Sequence, residues 1–396
     1  MKQTCLINTQ EYENPTYPSI CGEGPGEKSF HIKAKVLLIA FIFVVFTAYA
    51  DGRSVSEANV NSSKIMICSL ANVKKTEAIP LSSLVETCTL IHFEDNDDAF
   101  FKPWFTTVSD KYIGIRQQDG GVFKLFDRSG KFLCNVGSIG QGPGEYAIAL
   151  YDEIIDDKNN LIYLAPMTGD KILVYNTSGK FIKNIVSPQQ LHKPKLHLSN
   201  GILTVVHMAF GGEKAIAIQF DSNGKVIKSL APPTHLLVTN YNGEIFNARN
   251  TPAFDFLHTS SDTLYHYNIK ENKIVPVYTI AVNSSEKPFR QYVELNNYFI
   301  TNVFGKGLVA TDKKKETSSY IRIVNDYYGN LAMPGYIINF RNGWYVYNLE
   351  PAQLKEEIKK RLAESSCTKQ DSQQLKKLLS TLDEEANNVL FLGKLK

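Results

Sequence analysis

A turn that keeps returning restricts this chain more than any other feature. FDRSGKF (126–132), YNTSGKF (175–181) and FDSNGKV (220–226) share one plan: a strand end, Asp or Asn, two polar residues, Gly, Lys and a new strand. Asp or Asn at the head of such a turn caps its own backbone, and Gly near its end takes the positive φ that side chains resist. The turn glycines Gly130, Gly179 and Gly224 stand 49 and 45 residues apart, and Asn272 continues the series 48 later. Turn, strand, loop, strand, turn comes round six times: 110–132, 156–181, 199–226, a looser unit centred on 260–274, 297–317, and a last unit opening at 341–349.

A period of about 40–50 residues with roughly four strands per unit is the mark of propeller blades. The strands agree. ILVY, LIYL and ILTVV are apolar on successive positions, as expected for a sheet covered on both faces; a two-layer sandwich would leave one polar face per strand. Abundant Tyr (20) and Phe (22) suit such strands. The fold class expected is all-β, a six-bladed β-propeller over 64–396. The terminal strand NVLFLGKLK (388–396) is expected to close the ring by sharing a blade with strands from 64–93.

The last blade carries a helical insertion, 351–386. Pro351 suits a first helical turn. Leu354, Ile358 and Leu362 form one apolar stripe, and Leu375, Leu378 and Leu379 another. Such stripes mark a hairpin packed on the propeller flank in preference to a lid or docking element.

The first 50 residues read as a leader. Lys33 and Lys35 precede the apolar run 36–46, and small residues lead to Ala50, the pattern of a signal peptide cleaved there. An uncleaved N-terminal anchor in the inner membrane is the alternative, although the apolar run falls short of the roughly 20 residues that span a bilayer. Residues 1–30, with Cys5 and Cys21, are set aside from the fold, and 51–63 read as a polar linker. The chain is therefore expected in the periplasm, at the cell surface or outside the cell. Its formal net charge of +3 and scattered lysines give no nucleic-acid footprint. Cys68, Cys88, Cys134 and Cys367 match no small disulfide scaffold and read as free buried thiols.

Two motifs tempt a ligand. Gly140-Gln141-Gly142-Pro143-Gly144-Glu145 suggests a phosphate cradle, but no Lys-Ser/Thr follows and no helix opens there, so it reads as a tight linker between blades. EDNDD (94–98) lacks the alternating ligands and closing Glu of a calcium loop and reads as an exposed turn.

IPLSSLVETCTLIHFED, DKYIGI, FDRSGKFLCNVGSIGQGPGEY, DTLYHYN and NVLFLGKLK resemble the secreted bacterial six-bladed β-propeller family with NHL-like repeats. The resemblance covers roughly 65–396 and implies an exported six-bladed propeller, often a surface or periplasmic lipoprotein. No cysteine directly follows the apolar run, so the lipid anchor of the family is not carried over. Nor does the family supply catalytic residues to transfer.

No Ser/His/Asp motif, HExxH or dinucleotide fingerprint is present, and the histidines are dispersed, so no catalytic residue, metal or cofactor is assigned. Propellers bind at the channel mouth. The repeat register places Arg116, Met167, His207 and Asn348 there, and the ionisable pair, Arg116 and His207, are the candidate ligand contacts. Two functions remain. The favoured one is a non-enzymatic module for a glycan, peptide or envelope protein partner; the alternative is a channel-centred lyase or hydrolase of the NHL-like type.

Overall fold

Six sheets, each built on four antiparallel strands, appear in a computed structural model, which describes residues 54–60, 63–238, 243–282 and 288–396. The leader and its cleavage site lie outside the described residues. Blade 1 runs Pro103–Val108, Tyr112–Gln117, Phe123–Asp127 and Phe132–Val136. Blade 2 spans Leu150 to His192, blade 3 Lys195 to Leu230, blade 4 Ile245 to Ala281 and blade 5 Arg290 to Asn325. Blade 6 takes Phe340–Arg341, Trp344–Leu349 and Val389–Lys394 from the C-terminal part and Thr89–His92 from the N-terminal part. The six-bladed fold is the one the repeat implies, with a first strand of each blade facing the central axis.

Burial follows from the blade-on-blade stack. Phe123–Asp127, Ala217–Phe220 and Phe254–His258 are buried along almost every residue, because each is covered on both faces. The recurring turns lock neighbouring blades. Asp127 Oδ1 accepts from the N–H groups of Ser129 and Lys131, at 2.8 and 3.0 Å, and Asn176 and Asp221 repeat the arrangement. Gly179 has φ +79° and lies so close to the outer strand of blade 1 that a Cβ there would collide with the carbonyl oxygen of Asn135.

Closure occurs where the sequence placed it: Leu390 pairs with Ile91 and Val389 with His92. Phe93, Phe101, Phe126 and Phe132 seal this seam to blade 1 with edge-on ring contacts of 4.8–5.5 Å. Upstream strands go elsewhere. Ser63–Ser69 adds in parallel to the outer strand of blade 4, and Thr76–Pro80 adds in parallel to blade 5. Residues 51–63, read as linker, are corrected in part: Val55–Val60 is a strand paired with Ser63–Ser69. Its Val55 and Ala58 are buried, which gives an otherwise polar segment an apolar anchor.

The insertion is two helices, α1 (Pro351–Ala363) and α2 (Lys369–Leu379). Leu354, Ile358, Leu375 and Leu378 are buried against Leu331, Met333 and Leu349, the flank packing that the stripes implied. Thr368 caps α2 and Asp371 returns the bond, while Arg361 reaches both Asp371 and the Gly329 carbonyl. All four described cysteines are free, but only Cys68 and Cys88 are buried; Cys134 and Cys367 are half-exposed, a correction to the sequence reading.

Gly201 also has positive φ, but open space surrounds its would-be Cβ. Gly201→Ala is expected to cost roughly 1–2 kcal/mol of left-handed strain, and Gly179→Ala distinctly more, read by urea denaturation. Equal losses would show that the turn does not brace the neighbouring blade.

Candidate ligand-binding site at the channel

The strands facing the axis bring charges together from blades that are far apart in sequence. Blade 2 supplies Asp152 and Glu153 on Leu150–Asp156; both are fully buried. Arg341, from the first strand of blade 6, donates through Nη2 to Asp152 Oδ1 at 2.5 Å and to Glu153 Oε1 at 3.1 Å. Arg249, between the first two strands of blade 4, donates from Nη1 to Asp152 Oδ2 at 2.7 Å and to the Leu196 carbonyl at 2.9 Å. Its Nη2 reaches the Glu153 carbonyl at 3.1 Å and its Nε the Asn342 amide oxygen at 2.7 Å. Thr107 of blade 1 donates to Glu153, and the Leu196 N–H of blade 3 donates to Asp152 at 2.7 Å.

Arg116 enters from the second strand of blade 1. Its Nη1 donates to the Leu150 carbonyl at 2.9 Å. Nε lies 2.9 Å from Glu153 Oε2 but without hydrogen-bond alignment, so this contact is an ion pair alone. Lys195 of blade 3 donates to the Tyr151 carbonyl at 3.1 Å and stands 4.0 Å over the Tyr151 ring. Phe105 gathers the cations around its π-face, with Arg116 at 4.1 Å and Arg341 at 5.0 Å.

The electrostatics follow from crowding. Burial pushes the Asp152 carboxyl up, yet Arg249, Arg341 and Lys195 outweigh it and hold the group well below the ordinary carboxylate range. Glu153 is likewise held down, by Arg116 and Arg341 against burial. Lys195 goes the other way: burial, opposed by Asp152 and reinforced by Arg116, lowers it to about 7.

Arg249 is placed at a cost. Its φ is +58°, a left-handed conformation unusual for a residue with a long side chain. Asp255, buried on the second strand of blade 4, holds it by accepting the N–H groups of Ala248 at 2.9 Å and Arg249 at 2.8 Å. Where the first strands end, the channel opens into a hollow of about 410 Å³, walled by Asp110, Asp156, His197, Arg249, Asn342 and Trp344. Thr107, Arg249 and Asn342 belong to both the hollow and the ionic cluster. Asp156 accepts from the N–H groups of Lys158 and Asn159, so the turn that follows the strand steadies its carboxylate.

A match to the family described as Domain of unknown function (DUF4934) covers residues 65–394. The chain belongs to the DUF4934 family. Curated protein sequences yield no match. Among solved structures, a candidate exported protein of Bacteroides fragilis NCTC 9343 is similar at a TM-score of 0.59 and 17% identity, over 83% of this chain and 100% of that one. A DUF4221 member from Bacteroides vulgatus ATCC 8482 gives 0.43 at 11% identity, over 79% and 98%. A streptogramin B lyase gives 0.36 at 13%, over 61% and 92%. The first supports the fold; the other two likenesses are too loose to carry an argument.

In this DUF4934 chain neither sequence candidate lines the hollow. Arg116 joins the ionic cluster with 2% of its surface exposed, and His207 is fully buried in blade 3. The His207 ring nitrogens lie 2.9 Å from the Met208 and Ala215 carbonyl oxygens, and burial lowers its pKa to about 4. The repeat register misplaced both: they end or follow second strands, whereas the hollow is built at the ends of first strands. Asp152, Glu153, Arg249 and Arg341 went unnoticed, although the acids inside the apolar run LYDEIID were a usable signal for the first two, of the same kind as Arg116 inside YIGIRQ. The glycine run is self-satisfied. The Glu145 carboxylate accepts the Gly142 N–H at 2.8 Å, taking the place a phosphate oxygen would need, and Tyr146 bonds the Val136 carbonyl at 2.8 Å.

Burial also sets the pH response. His197, His207 and His258 are each lowered to about 4, so the folded state stays neutral where the unfolded state, near 6.5, takes up protons. Their contribution is complete above about pH 6.5 and drains away as the pH falls toward 4. Urea denaturation at pH 7.5, 5.5 and 4.5 should show stability declining stepwise; a flat profile would contradict neutral burial. Lys195→Met removes a costly buried ammonium. Its stabilising effect should be largest below pH 7 and shrink as the pH rises toward the ordinary lysine value, measured as the difference in Tm from the parent.

Proposed function

We propose that this protein is an exported, non-enzymatic binding module whose ligand, a glycan, peptide or envelope protein segment, seats in the hollow at the end of the channel. The observation that carries this reading is the division of labour along the axis. The acids and bases at the waist are spent on one another in a buried network, while the hollow above is walled by an aromatic ring, carboxylates and an amide. Asp152 and Glu153 are ion-paired and hydrogen-bonded, an arrangement suited to fixing a shape and poorly suited to accepting a substrate proton. Export is supported by the basic, apolar and small-residue succession that ends at Ala50, and by the name of the Bacteroides fragilis relative.

The test is a glycan and peptide panel screened against the purified protein, followed by titration of each hit. Trp344→Ala should weaken a genuine hollow ligand by about tenfold, or about 1.4 kcal/mol, while Tyr336→Ala should leave it unchanged. Tyr336 is 39% exposed and does not line the hollow. A panel without binders, product formation from a hit, or binding indifferent to Trp344→Ala would each overturn the reading.

A further inference from the structure

Positive charge outnumbers negative at the waist of the ring, and donors outnumber acceptors. Arg116, Lys195, Arg249 and Arg341 are enclosed there with Asp152 and Glu153. Counting the buried Asp255, which accepts the N–H groups of Ala248 and Arg249, still leaves one positive charge over. A charge taken out of water without a counterion is costly.

The surplus falls on Arg116 and Lys195, neither of which lines the hollow and each of which is 2% exposed. Arg249 and Arg341 reach carboxylate oxygens in hydrogen-bonding geometry. Arg116 meets Glu153 only through a poorly aligned Nε, and its Nη2 has no acceptor among the described residues. An ammonium has three N–H groups, and that of Lys195 finds one acceptor among the described residues, the Tyr151 carbonyl at 3.1 Å. Both cations gather at the Phe105 ring, the Arg116 guanidinium 4.1 Å and the Lys195 ammonium 5.9 Å from its centroid. Asn247, also 2% exposed, has its carbonyl 3.5 Å from Arg341 Nη1, and its Nδ2 has no acceptor among the described residues.

Buried polar groups of native proteins are nearly always satisfied, so donors left over at one level of the axis call for an acceptor. Neutralising Lys195, toward which burial drives it, would remove the surplus charge but leave Arg116 Nη2 and Asn247 Nδ2 as they are. A water molecule would supply an acceptor without the missing charge. We infer that the waist encloses one small monovalent anion of the size of chloride, bonded by Arg116 Nη2 and Lys195 Nζ with the Asn247 amide as a third donor. Its bonds to Arg116 and Lys195 are charge-assisted, and it ties blades 1, 3 and 4 on the side of the axis that the carboxylates leave positive. Because these donors are shut off from solvent, the ion is enclosed as the ring closes and is not taken up through the hollow. The inference is independent of what the hollow binds.

Equilibrium urea unfolding in mixtures of sodium chloride and sodium gluconate at constant ionic strength tests this, gluconate being too large to be enclosed. An ion bound by the folded state alone stabilises it with the logarithm of its concentration. The midpoint should therefore climb with each tenfold rise in chloride, and bromide should act alike. Lys195→Met removes a donor together with the surplus charge and should flatten that dependence, so its stability gain is greatest in gluconate. Asn247→Leu should shift the half-maximal effect to severalfold higher chloride. Crystals of protein refolded in bromide should show an anomalous peak within hydrogen-bond reach of Arg116 Nη2 and Lys195 Nζ, absent from Lys195→Met. A midpoint indifferent to chloride, bromide found only elsewhere, or water alone at the waist overturns the inference. A chloride dependence kept by Lys195→Met belongs to surface ions and overturns it as well.

Discussion

Asp152 and Glu153 are the point on which the ring depends. Two adjacent residues of one strand receive donors from blades 1, 3, 4 and 6, so that blades remote in sequence are tied through a single spot on the axis. A propeller with an apolar axis has only the packing between neighbouring blades to fix its geometry. Here the network adds direction, because hydrogen bonds and ion pairs have angles where hydrophobic contacts do not. The benefit is specificity of arrangement more than net stability, since desolvating six charged side chains consumes much of what their attraction returns.

The remaining architecture serves that centre. Turns of one plan press into the preceding blades, the Phe93 cluster seals the closing seam, and Tyr146 pins the glycine run between blades 1 and 2. The helical hairpin buries its apolar stripes on blades 5 and 6, away from the axis. Rigidity thus surrounds a small opening. Arg249, Asn342 and Trp344 sit at the boundary between the packed ring and the hollow.

The fold was legible because its information is local. Each DRSGK-like turn announces itself within five residues, and spacing does the rest; α1 and α2 declare themselves by their leucine stripes. The site was not, because its information is distributed. Arg116, Asp152, Lys195, Arg249 and Arg341 have no characteristic spacing, and only ring closure makes them neighbours. Arg249 also falls in the irregular fourth unit, where an extended loop separates Ile245–Phe246 from Phe254–His258 and hides the register. Val55–Val60 was missed for another reason: VSEANV is polar enough to pass as linker, and its pairing with Ser63–Ser69 is what buries Val55.

The path of the N-terminal strands has a consequence for assembly. Blades 1 to 3 are each written as one continuous stretch of chain, whereas blades 4, 5 and 6 are finished by strands lying before residue 93. As the polypeptide emerges, the first three blades hold all their strands early, while the segment 54–92 must wait with its edges unpaired until the second half arrives. The final strand, Val389–Lys394, then meets Thr89–His92 across about three-quarters of the sequence. Long-range pairing of this kind makes folding slow and places the vulnerable interval before closure, not after it.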